Sequence, residues 1–171
     1  MKLKVRFMKL VLSVAVPAIK VVAILLLFLL SNTAFCAEYS PSNLAQKKIN
    51  ITIKKMFGSD IELRAFKDSP NCFYVLKYDS LIGYYCVGNS PSKYDKFEFM
   101  VVYDIKLNIQ KVEVLVYRED YGFEIKNKRW LRQFITRKTN SVQAISGATI
   151  SVNSLKKSVE LLNQKMARAI H

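Results

Sequence analysis

Residues 97–116, FEFMVVYDIKLNIQKVEVLV, decide the fold. Phe97, Phe99, Val101 and Tyr103 recur at every second position, the period of a strand with one face buried. Asp104 to Asn108 turns the chain. Ile109 to Tyr117 then returns with Val112, Val114 and Val116 alternating against Lys111, Glu113 and Leu115. Upstream, Phe73 to Tyr78 and Leu81 to Val87 read as a second hairpin, turning at Tyr78-Asp79-Ser80. Ile61 to Phe66 suits a short strand, and Gly88-Asn89-Ser90-Pro91-Ser92 reads as a loop.

Helices flank these strands. Ser42 is placed to cap a helix running to about Phe57, with Leu44, Ile49, Ile53 and Met56 on one side and Gly58 as its stop. Asn127 to Ile135 suits a short helix that buries Trp130, Leu131 and Phe134. From Val152 onward, Val152, Leu155, Val159, Leu162 and Met166 recur at steps of three and four, while Lys156, Lys157, Glu160 and Gln164 face away. That is an amphipathic helix packed on a sheet. The expected architecture is α+β: a mostly antiparallel, curved sheet with helices on one side, preceded by an N-terminal signal or anchor helix.

The N-terminus reads as an address. Met1 to Lys9 is basic, Val21 to Leu30 is an unbroken apolar run, and small or polar residues follow, the order of a secretory signal. Ala34-Phe35-Cys36 offers cleavage after Cys36, and the bulk of Phe35 disfavours lipid attachment there. Apolar character begins at Leu10, so an uncleaved segment reaches the ~20 residues that span a bilayer. Cleaved signal and retained anchor both stay open. Either places residues 38–171 outside the cytoplasm, in the periplasm or on the outer face of the cytoplasmic membrane, with residues 1–37 as the targeting segment.

The formal charge is +14, from 27 basic and 13 acidic residues. Lys2, Lys4, Arg6, Lys9 and Lys20 precede the first acidic residue, Glu38, which leaves 22 basic against 13 acidic residues beyond the targeting segment, about +9. That sign suits nucleic acid, an anionic membrane or an acidic protein. The cations are scattered, apart from Lys126, Lys128, Arg129 and Arg132, and no nucleic-acid motif accompanies them. That group reads as a solvated helix face, or as a surface for an acidic redox partner or anionic headgroups. Cys72 and Cys86 flank the second hairpin, and a three-residue turn centred on Asp79 sets them opposite each other. A disulfide in an oxidising compartment and a pair of reduced thiols both fit. Cys-x-x-Cys spacing is absent and His171 is the one histidine, which argues against a His-based triad or a histidine-rich metal site.

Gln143-Ala144-Ile145-Ser146-Gly147-Ala148-Thr149-Ile150-Ser151 leads into the last helix. Read from the residues, Gly147 lets the backbone turn and lets a ligand approach. The unpaired N–H groups of the first helical turn, and the positive end of the dipole, favour a phosphate ringed by the hydroxyls of Ser146, Thr149 and Ser151. The bland reading is a plain cap with Ser151 as the capping residue.

Ser146-Gly147-Ala148-Thr149, followed by Ile150-Ser151 and an amphipathic helix, resembles the flavinylation motif of the FMN-binding domain family. That domain occurs in the flavin subunits of Rnf and sodium-pumping NADH:quinone oxidoreductase complexes, in some extracytoplasmic reductases and in small stand-alone proteins. The resemblance implies that Thr149 carries FMN through a phosphoester, made by a flavin transferase from FAD with a divalent metal. It runs from about Tyr74 to Met166 and takes in Ile82-Gly83-Tyr84, Tyr117-Arg118-Glu119 and the Trp130-to-Phe134 helix. Glu119 and Gly122 fall where the family has its Glu-Thr-Pro-Gly loop near the flavin, although Asp120-Tyr121 replaces Thr-Pro. Gln143 stands where the family usually has aspartate, six positions before the threonine. Tyr84, Tyr85, Tyr103, Tyr117 and Tyr121 are candidates to stack on the ring, against the plainer role of core or cross-strand pairs.

The functional expectation is an electron carrier rather than a stand-alone enzyme, with FMN as the redox group and a membrane redox complex or redox protein as partner. The alternative is a flavin-free exported module that binds a membrane partner, which the Gln143 departure favours. A reductase acting alone fits worse, because the chain is short and shows no second substrate domain.

Overall fold

The computed structural model describes residues 40–67 and 69–170. The signal-or-anchor reading of residues 1–37 lies outside them. Among the described residues no helix is long and apolar enough to cross a membrane. The elements are α1 (Asn43–Phe57), β1 (Glu62–Phe66), β2 (Ser69–Lys77), β3 (Ser80–Pro91), β4 (Lys96–Tyr103), β5 (Ile109–Val116), two short helices, α2 (Lys128–Leu131) and α3 (Gln133–Thr136), and α4 (Thr149–Ile170). The five strands form one antiparallel meander in the order β1-β2-β3-β4-β5. The α+β class and the antiparallel sheet are therefore as expected.

The helices, however, cover both faces instead of one. On the front face Phe97, Phe99, Val101 and Tyr103 of β4 meet Val112 and Val114 of β5, and pack against Val152, Leu155, Val159 and Met166 of α4. Trp130, Leu131 and Phe134 join the same cluster. On the back face Val75, Tyr85, Val87, Met100, Val102 and Leu115 pack against Ala45, Ile49 and Ile53 of α1. Seven of the eight β4 residues are buried, because alternate side chains enter different cores. Each fully buried aliphatic side chain contributes about 1.5–3 kcal/mol, so both helices are held mainly by these stripes.

Several local expectations are corrected. Ser42 does cap α1, its hydroxyl accepting from Ala45 N, and the chain leaves the helix at Gly58 with φ +96°. The buried stripe is Ala45, Ile49, Thr52 and Ile53, whereas Leu44 and Met56 stay exposed. The β2–β3 turn has two residues, Tyr78 and Asp79, both at positive φ as a type I′ hairpin turn requires. A bulge then shifts the register by one between Val75 and Leu76, so Cys72 still pairs with Cys86, and a disulfide joins them. Gly88 to Pro91 is strand rather than loop. It pairs with β4, and Pro91 O and Ser90 Oγ are bonded by Ser154 and Ser158 of α4. The Asn127–Ile135 segment is capped by Asn127 Oδ1, which accepts from Arg129 N and Trp130 N, and it breaks at Arg132 into α2 and α3.

Glu98 points to the back face and is buried there. It accepts from Arg118 and, at 2.8 Å, from Ser42 N, which ties the start of α1 to the loop after β5. On the front face, burial pushes the Tyr103 hydroxyl well above its ordinary pKa, so it stays protonated and donates to Asn163 Oδ1 at 2.9 Å. These bonds set α1 and α4 in register on the sheet.

Candidate functional site

Three segments converge at one end of the sheet: the β3–β4 turn, the loop that follows β5, and the N-terminus of α4. They enclose a cleft of about 230 Å3 lined by Lys93, Tyr117, Glu119, Tyr121, Gly122 and residues 147–151. Eight sequence-predicted residues thus meet in one place: Tyr117, Glu119, Tyr121, Gly122, Gly147, Ala148, Thr149 and Ser151. Ser146 is exposed and does not line the cleft. A larger groove of about 760 Å3 opens further along α4, around Arg137, Lys138, Lys156 and Lys157. It holds none of the predicted residues, and concavity alone is a weaker guide than converging chemistry.

The helix begins at Thr149, three residues earlier than the apolar spacing suggests, and its first backbone bond runs from Val152 N to Ala148 O at 2.9 Å. The N–H groups of Thr149, Ile150 and Ser151 therefore precede the helical ladder and are free of its bonds, the kind of donors an anion takes at a helix start. Thr149 itself is exposed. Ser151 lies within the first turn and does not cap it. Its hydroxyl sits 2.8 Å from Tyr117 Oη, which also bonds Tyr121 O at 2.8 Å. A carbonyl can only accept, so Tyr117 donates to Tyr121 O and Ser151 donates to Tyr117. Burial raises the Tyr117 pKa, which keeps that proton in place. This relay fixes the loop after β5 against the first turn of α4.

Gly122 completes the junction. Its φ is +74°, and a Cβ there would lie 2.9 Å from Tyr117 Oη and 3.4 Å from Ala148. Gly147 has φ +81° with nothing within 4 Å of a Cβ, so conformation alone demands glycine there. Gly122→Ala is expected to cost about 2 kcal/mol from left-handed strain and displacement of Tyr117, and Gly147→Ala about 1 kcal/mol. Denaturant unfolding of the two variants side by side checks the order.

Glu119 organises the other wall. Its Oε1 accepts from Ser92 Oγ at 2.5 Å and from Tyr94 N and Asp95 N at 2.6 Å, while Oε2 is buried with no hydrogen-bond partner. Burial raises its pKa, but the Ser92 hydroxyl and the N–H groups of Tyr94, Asp95 and Lys93 together hold it below the ordinary value. A desolvated carboxylate oxygen without a donor is costly, and a ligand hydroxyl or ring N–H would satisfy it. Lys93 brings the cleft its one cation. Its Nζ lies 4.9 Å from the Tyr94 ring centre and 5.8 Å from that of Tyr121. The neighbouring Tyr94 side chain is foremost in raising the Lys93 pKa.

Of the five candidate tyrosines, Tyr117 and Tyr121 line the cleft, and Tyr121 is 71% exposed. Tyr84 and Tyr103 lie in the front core and Tyr85 in the back core. Gln143 has an exposed side chain, while its backbone anchors the loop: its N donates to Gln133 Oε1 and its O accepts from Trp130 Nε1 at 2.8 Å. Lys126, Lys128, Arg129 and Arg132 are exposed and stand outside the cleft.

Residues 93–162 match the FMN-binding domain family. The match begins at Lys93 and encloses every residue that lines the cleft, so the resemblance carried by the Ser146-to-Thr149 motif holds over that stretch. No curated protein matches the chain. For an FMN-binding domain the donor set fits: unpaired N–H groups and Lys93 for the phosphate, an orphaned Glu119 oxygen for a ribityl hydroxyl or ring N–H, and exposed Tyr121 for the ring. The volume lies below the roughly 300–1,000 Å3 of an enclosing ligand pocket. The cleft therefore has room for the phosphate end of FMN, not for the whole cofactor. Lys93 escaped the sequence reading because the β3–β4 turn looked like a featureless loop. A lysine in a short turn between two paired strands was the available signal.

Proposed function

We propose that this chain is an exported electron-transfer flavoprotein that carries FMN through a phosphoester to Thr149 and exchanges electrons with a membrane-associated redox partner. The observation that carries the reading is the exposed Thr149 at the first position of a 22-residue helix, facing a cleft that lies wholly within the matched residues. In the attachment step the Thr149 Oγ–phosphorus bond forms, the pyrophosphate bond of FAD breaks, and AMP leaves with the threonine proton passing to solvent or the leaving group. The bound flavin supplies the electron chemistry. The chain's residues hold it: backbone N–H groups and Lys93 offset the phosphate charge, and Glu119 accepts a flavin donor.

Export is supported by the basic-then-apolar N-terminal order and by the Cys72–Cys86 disulfide, which suits an oxidising compartment. A covalent tether suits a setting where free flavin would diffuse away. The test is co-expression with a flavin transferase in an exported form. Yellow colour and flavin fluorescence that persist on the denatured polypeptide support the reading, and a colourless product beside an active transferase control overturns it.

Gln143 bears on the same step. Its side chain faces solvent and holds nothing in the loop, so it is open to a transferase rather than needed by the fold. Gln143→Asp is expected to raise the flavinylated fraction several-fold at limiting transferase while leaving the unfolding midpoint unchanged. Equal fractions for the two proteins would remove residue 143 from the recognition surface.

A further inference from the structure

The outer face of α1 is occupied by a pattern that the back-face core does not explain. At 3.6 residues per turn, Leu44, Lys47, Ile51, Lys54 and Lys55 fall within an arc of roughly 100°, opposite the buried Ala45, Ile49 and Ile53. Leu44 is 53% and Ile51 67% exposed, and all three lysines are exposed. The helix also carries Lys48 and has no acidic residue. The back-face carboxylates do not neutralise this stripe, since Glu98 is engaged by Arg118 and Ser42 N, and Glu113 by Lys111 and Thr52. The helix dipole accounts for Lys54 and Lys55 in the last turn, but not for Lys47 or for the two exposed aliphatics between the cations.

An apolar run precedes this helix in the sequence. Only residues 31–42 separate the Val21–Leu30 run from Asn43, a reach of at most ~40 Å when fully extended. We propose that the outer face of α1 rests on an anionic bilayer surface, with Leu44 and Ile51 entering the headgroup boundary and Lys47, Lys54 and Lys55 pairing with lipid phosphates. This orientation turns the opposite face of the sheet, with α4 and Trp130, away from the lipid. The proposal stands independently of the flavin reading.

The test uses the full chain, exported, with its final N-terminus fixed by mass, and carries Ile51→Trp. The probes are vesicles of phosphatidylcholine alone or mixed with phosphatidylglycerol, each with brominated acyl chains. With phosphatidylglycerol the new indole emission should shift to the blue and be quenched, while Trp130, measured in the parent protein, should be spared. Raising the salt should reverse the quenching, because surface attraction is screened. Adding Lys47→Glu, Lys54→Glu and Lys55→Glu should abolish it. Where the apolar segment has been removed, the triple change should lower the vesicle partition coefficient by roughly a hundred-fold. Absence of quenching with phosphatidylglycerol overturns the proposal. Equal quenching in neutral vesicles, or quenching indifferent to salt, overturns it as well.

Discussion

Thr149→Ala is expected to abolish covalent flavin completely while leaving the fold intact. The intact mass of the denatured wild-type chain, after co-expression with a flavin transferase, should exceed the apo mass by one FMN less one water, and the alanine variant should show no gain. The loss would report chemistry rather than folding, because Thr149 is exposed at the first helical position and alanine is the best helix former. Thr149→Ser keeps the hydroxyl, and is expected to accept flavin at a reduced rate because serine places that oxygen with more rotamer freedom. A mass gain that survives Thr149→Ala would move the attachment elsewhere. No gain in the wild type, beside an active transferase control, would favour the flavin-free module that binds a membrane partner.

Removing the Cys72–Cys86 disulfide should cost about 3 kcal/mol, the entropy expected for releasing a loop with a sequence separation of 14 residues. Domains of this size have only about 5–15 kcal/mol to lose. Both sulfurs are buried in the front core, and Cys86 Sγ lies 3.3 Å from Met166 Sδ of α4. The double change Cys72→Ser and Cys86→Ser adds two buried hydroxyls, so the comparison should also include the wild type unfolded in denaturant with and without reductant. A difference in unfolding free energy below about 0.5 kcal/mol would mean that the strand pairing alone constrains the hairpin. The candidate cleft is lined by the β3–β4 turn, the loop after β5 and the start of α4, so a reduced protein that stays folded is expected to be flavinylated to the same extent as the oxidised one.

Much of this protein is determined by local pattern. The period-two run of β4 and its counterpart through Val114 of β5, the three-and-four spacing along α4, and the Ser42 and Gly58 stops of α1 are fixed by side-chain direction and capping, which act within a few residues. The same is true of the motif from Ser146 to Thr149, whose glycine and helix entry are local requirements. A bulge at Leu115, by contrast, sends Val116 to the back core instead of the face of Val112 and Val114. The Cys72–Cys86 register was legible too, though the chain reaches it through a two-residue turn and a bulge instead of a three-residue turn.

What the tertiary structure decided depends on partners distant in sequence. Gly88 to Pro91 has loop composition, yet it becomes strand because β4 pairs with it and Ser154 and Ser158 of α4 bond to it. The back-face core became visible only when α1 met Val75, Val87 and Val102, since alternation along β4 does not say what covers its second face. The site followed the same rule. Thr149 was readable from its neighbours. Lys93 and the orphaned Glu119 oxygen were not, because they reach Thr149 only when the β3–β4 turn and the loop after β5 close against the first turn of α4.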